Sequence, residues 1–185
     1  MPASARARVE TLWRLDERLA RLGASTSQFR EVKLAWWEEQ LAALTAAGHA
    51  EPLLGVVARD VLPILSGPDL ARLADAWRFV EDEAVGPGYA PARGSLFAQT
   101  ARLIGTDGPD PAAGELWAYA DFRRRRPDLA QVKMRALPPG RWPRPLRALG
   151  ALATLAERDV CAPALEAAPS ARRVARMAWH RLSGL

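Results

Sequence analysis

Leu34, Trp37, Leu41 and Leu44 recur at steps of three and four, and Phe29, Val32 and Trp36 form a second stripe beside them. On an α-helix such spacing gathers side chains on one face, and the stretch holds no Gly or Pro to interrupt it. Two adjacent tryptophans project about 100° apart on a helix, so the sequence predicts an element over Phe29–Leu44 that is buried against neighbours on two sides. The same period returns along nearly the whole chain, and nowhere do four or more residues alternate as a strand would.

The other segments follow the same logic. Val9, Leu12, Trp13, Leu15, Leu19 and Leu22 predict a first helix over 4–22, closed by Gly23. Helices are predicted over 51–65, from 69 after Gly67-Pro68, over 91–105 and over 112–125. Three more are expected over 128–137, 146–160 and 170–183. Gly86-Pro87-Gly88 reads as a turn, and the Pro-rich run 138–145 as the longest connection. About nine helices with short connections and no internal repeat predict an all-α fold, a single-domain helix bundle spanning 1–185.

Charge narrows the partners. The chain carries net +5 over 185 residues, but residues 1–120 sum to −4 and residues 121–185 to +9. Only Lys33 and Lys133 are lysines, so the arginine excess reads partly as the codon bias of a GC-rich bacterial genome. A basic last third suits an anionic surface. Over 170–183, Ala171, Val174, Ala175, Ala178 and Leu182 fall on one side and Arg172, Arg173, Arg176 and His180 on the other. The expectation is a core-packed helix with a solvated basic face, with peripheral membrane contact through 170–183 as the alternative. Arg123-Arg124-Arg125-Arg126 reads as cations at a helix C-terminus before Pro127, not as a nucleic-acid site. Cys161, the only cysteine, reads as a small buried residue. The seven tryptophans read as core fillers, with the lining of an apolar cavity as the other option. His49 and His180 have no zinc-spaced partners, and no phosphate-cradling Gly loop exists. The N-terminus shows no apolar signal region and no long apolar run follows, so a cytoplasmic location is expected, at most peripheral to the inner membrane face.

Lys33-Leu34-Ala35-Trp36-Trp37-Glu38-Glu39-Gln40-Leu41 resembles the R-L-x-W-W-R-x-x-L helix of the squalene/phytoene synthase superfamily. Glu51-Pro52-Leu53-Leu54, Tyr89-Ala90, Arg93-Gly94-Ser95-Leu96-Phe97 and Ala113-Gly114-Glu115-Leu116-Trp117 follow in compatible order. The resemblance implies an isoprenoid-synthase fold, in which catalytic members join two prenyl diphosphates using Mg²⁺ held by two aspartate-rich motifs. It also implies how this chain departs from them. Where the first motif belongs stand Asp16 and Glu17, with Ala20 in place of the third acid. Where the second belongs stands Asp121, followed by four arginines. Hard metals need several carboxylate oxygens one turn apart, so no metal site and no cofactor are expected.

The resulting expectation is a synthase-like protein without metal-dependent prenyl transfer, acting as a binding or assembly factor, as the superfamily's complex I assembly factors do. Its ligand would be a protein partner or an apolar isoprenoid. The alternatives are an active transferase using Asp16, Glu17 and Asp121 for Mg²⁺, and an anionic-surface binder. Trp36, Trp37, Arg123 and Arg124 are the candidate substrate-binding residues.

Overall fold

The three- and four-residue spacing becomes eight α-helices in a computed structural model that describes residues 2–46, 49, 51–78, 86–125, 137, 140–162 and 170–184. In chain order they are α1 (Ala3–Gly23), α2 (Arg30–Ala42), α3 (Pro52–Asp60), α4 (Gly67–Ala76), α5 (Gly86–Leu103), α6 (Pro111–Arg125), α7 (Arg147–Cys161) and α8 (Ala171–Ser183). A 3-10 turn, Arg144–Leu146, leads into α7. Every regular element among the described residues is helical, which makes the fold all-α. The count among those residues is eight rather than nine, because the helix expected over 128–137 lies outside them apart from Leu137. None of the described helices is long and apolar enough to cross a membrane.

Local chemistry sets several boundaries. Ser66 accepts from the Asp69 N–H while Asp69 accepts from the Ser66 N–H, a reciprocal cap that fixes the start of α4. Gly184 ends α8 at φ +80°, the left-handed conformation that favours glycine. Gly86-Pro87-Gly88 is not a turn: it forms the first residues of α5, where the leading N–H groups have no helical partner to lose. The third helix stops at Asp60, and residues 61–64 form turns ahead of the α4 cap.

The main core joins α1, α2 and α4 through Leu12, Leu15, Leu19, Leu34, Leu41, Leu70 and Leu73, each with no exposed surface. Each such leucine contributes about 1.5–3 kcal/mol by leaving water. A smaller core of Phe97, Ala113, Leu146, Leu149 and Ala153 ties α5 and α6 to α7. The closest helix pair is α5 with α6, whose backbones meet where Gly94 faces Gly114. A Cβ on Gly94 would lie 2.6 Å from the Glu115 nitrogen, so only glycine permits this approach. Near this crossing Arg93 of α5 reaches both Asp121 of α6 and Asp16 of α1.

The expected two-sided burial of Phe29–Leu44 is not observed. Leu34, Trp37 and Leu41 are buried, but Phe29, Val32 and Trp36 are 56 %, 66 % and 41 % exposed. Neighbours cover only the first stripe, chiefly α4 with some of α1, and on the flank Arg78 of the α4 end pairs with Glu31 and Glu38. Nor do the tryptophans act uniformly as core fillers: Trp37 and Trp77 are buried, Trp13, Trp117 and Trp142 partly so, and Trp36 and Trp179 are exposed. Cys161 is exposed as well, because it is the last residue of α7 and lies beyond that helix's packed face.

Candidate functional site

Arg93, in the middle of α5, is the only charged residue between positions 84 and 101. Its side chain is 4 % exposed and reaches two carboxylates from different helices. Nε and Nη2 donate to Asp16 of α1 at 3.2 and 3.0 Å, a bidentate grip. Nη1 donates to Asp121 of α6 and, at 2.7 Å, to the Tyr89 hydroxyl one turn back on α5. Trp77 Nε1 donates to Asp16 Oδ1 at 3.2 Å, and Arg125 Nε to Asp121 Oδ2 at 2.8 Å. Two cations and two anions therefore balance in one network. The guanidinium also lies between the rings of Trp77 and Trp117, each centroid 4.4 Å away, which adds cation–π attraction.

The electrostatics hold this arrangement charged. Burial alone would push the Arg93 pKa down, but Asp16 above all, with Tyr89 and Asp121, outweighs it and drives the value up. Burial would likewise raise the Asp121 pKa, yet Arg93 and then Arg125 bring it below the usual carboxylate value. Burial pushes the Tyr89 phenol up, so the hydroxyl remains a neutral acceptor for Arg93.

Two of the three candidate metal ligands thus meet. Asp16 and Asp121 face the same point, but what lies between them is a guanidinium. Glu17 does not join them: it is exposed on α1 and pairs with Arg21 one turn along, at 2.5 Å. Mg²⁺ asks for near-octahedral oxygen donors, whereas here both Asp16 oxygens and one Asp121 oxygen already accept from Arg93, Trp77 or Arg125. As arranged, these residues do not fit the metal, and no group of three or more His, Cys, Asp or Glu among the described residues is suited to hold one.

The other candidate binding residues have different duties. Arg123 is buried and caps the C-terminal carbonyls of α7, donating to Asp159 O, to Val160 O at 3.2 Å and to Ala162 O at 2.9 Å. Arg124 grips the Asp159 carboxylate at 2.8 Å from one side while Arg173 of α8 holds it at 2.6 Å from the other. The arginines do meet a helix C-terminus, as expected of cations, but it is the C-terminus of α7 rather than only their own. Arg126 lies outside the described residues. Trp37 is spent in the core, with Trp36 edge-on against it at 5.6 Å. The aromatic groups around Arg93 are instead Trp77, Tyr89 and Trp117.

Arg93 was missing from the candidates, although its isolation in an uncharged helix was a readable signal: a lone charge buried there must find partners. Two grooves lie elsewhere. One, of about 390 Å³, runs between α7 and α8 and is lined by Arg158, Arg172, Arg176 and Trp179 among others. The second, of about 470 Å³, lies between α2 and α4 beside Glu38, Glu39, Arg72 and Asp75. Neither is lined by a residue of the Arg93 centre.

The fold and centre define a class in physical terms: an all-helical protein built around a buried arginine shared by two aspartates. Compared with known proteins, the chain matches no family model, no curated protein and no solved structure.

Proposed function

We propose that this chain is a squalene/phytoene synthase-like protein without metal-dependent prenyl transfer, acting as a binding or assembly factor. The observation that carries the reading is the Arg93 guanidinium between Asp16 and Asp121, the two positions to which the resemblance assigns the first and second acidic motifs. A transferase of that kind needs its carboxylates free to gather divalent cations against a diphosphate leaving group. Here a cation that stays charged throughout the accessible pH range satisfies them permanently. The network serves to join α1, α5 and α6 rather than to hold a reactant. A binding role is supported by the apolar stripe of Phe29, just before α2, and Val32 and Trp36 on it, which a protein partner would cover.

The test is incubation of the full chain with Mg²⁺ and farnesyl or geranylgeranyl diphosphate, following diphosphate release. No release above the protein-free blank is expected. Metal-dependent turnover that disappears in Asp16→Ala would overturn the reading.

A further inference from the structure

The C-terminal helix lies the other way round from what its sequence predicts. His180 is 3 % exposed and the Arg173 side chain 14 %, so the polar side of α8 faces the protein. Outward point Val174, Met177, Trp179 and Leu182, exposed by 56 %, 42 %, 64 % and 74 %. Ala171, Ala175 and Ala178, all exposed, fill the surface between them.

This orientation is fixed by polar contacts. Asp159 of α7 draws in Arg173, and Ser170 caps the start of α8 by accepting from the Arg173 N–H at 3.2 Å. His180 packs beside Trp142 over Gly150, where a Cβ would collide with both rings. At the far end Arg141 donates to Ser183 O at 2.7 Å and Arg147 to Leu182 O at 2.6 Å. Rolling the helix to bury its apolar side would break the contacts to Asp159, Trp142, Arg141 and Arg147. The expectation of a core-packed helix with a solvated basic face is therefore corrected: Val174, Met177, Trp179 and Leu182 are the exposed side chains, and Arg173 and His180 face the protein.

We propose that α8 docks this protein on an anionic lipid bilayer, lying in the interfacial plane with Val174, Trp179 and Leu182 among the acyl chains. Three observations select this occupant. The helix carries four arginines and no acid. Arg172 and Arg181 are exposed and flank the apolar face, and the adjoining α7–α8 groove adds Arg158. Trp179 sits at the border between apolar and basic surface, the position aromatic side chains favour at a bilayer interface. A second copy of the helix would instead bring its own arginines against these with no acid to pair. The inference is independent of the prenyl-transfer reading above.

The experiment is flotation of the full chain with vesicles of phosphatidylcholine alone or mixed with phosphatidylglycerol. Binding to the mixed vesicles is expected, weakening steeply as salt is raised and much weaker on phosphatidylcholine. Trp179→Ser combined with Leu182→Ser should lower binding by about tenfold or more while leaving the helical circular dichroism unchanged, because both side chains are exposed. Failure to bind anionic vesicles, equal binding to both kinds, or undiminished binding by the double variant would overturn the proposal. So would a soluble acidic protein that occupies α8 and leaves vesicles unbound.

Discussion

Arginine does opposite work in two regions of this molecule. At the junction of α1, α5 and α6, Arg93 is removed from water and matched group for group by Asp16, Asp121 and Tyr89. Along α8, Arg172 and Arg181 stay at the surface and flank exposed apolar side chains, while Arg173 is held by Asp159. In the first region the charge is consumed by the fold; in the second it remains available to a partner. Residue type does not distinguish the two. The difference comes from whether neighbouring helices deliver carboxylates, and Gly94 against Gly114 lets α5 and α6 approach closely enough to do so.

The contrast can be broken by substitution. Arg93→Met should have the largest effect: it leaves Asp16 buried without its cation, a loss of about 3–5 kcal/mol measured by urea unfolding. Asp159→Asn comes next. It removes the carboxylate shared by Arg124 and Arg173, and a loss of about 1–3 kcal/mol is expected, together with freer motion of α8 seen as faster amide exchange. Acid should act more weakly. The Asp121 pKa is lowered in the folded state, so its contribution is complete above the unfolded carboxylate value of about 3.9 and is lost as pH falls through the lower folded value. Wild type should therefore lose more stability than Asp121→Asn between about pH 4 and more acidic conditions, read from urea midpoints. Trp179→Ser should change stability by no more than about 0.5 kcal/mol, because its side chain is 64 % exposed. A large loss there would mean that α8 is held by its apolar face after all.

Much of the fold was legible because helical spacing is a local property. Leu12, Leu15 and Leu19 on α1, and Leu34, Trp37 and Leu41 on α2, are read directly from their steps and are buried as expected. What was not legible is which of two apolar stripes finds a neighbour. Phe29, Val32 and Trp36 have the same chemistry as the buried stripe and differ only in tertiary placement. The reversal of α8 has the same origin. An amphipathic helix normally turns its apolar side inward, and here Asp159 and the Trp142–Gly150 surface offer better partners to the polar side. At the centre, Asp16 and Asp121 were recognisable as acids standing where ligands were expected. That they face one another, and that Arg93 joins them, depends on sequence separations of 77 and 28 residues that no local pattern encodes.

Arg93 and Asp16 act as one buried unit, and a double-mutant cycle measures this directly. Urea unfolding of Arg93→Met, Asp16→Asn and the double variant should show the double losing less than the sum of the singles, with a coupling of about 1–3 kcal/mol. Losses that add to within about 0.5 kcal/mol would contradict it.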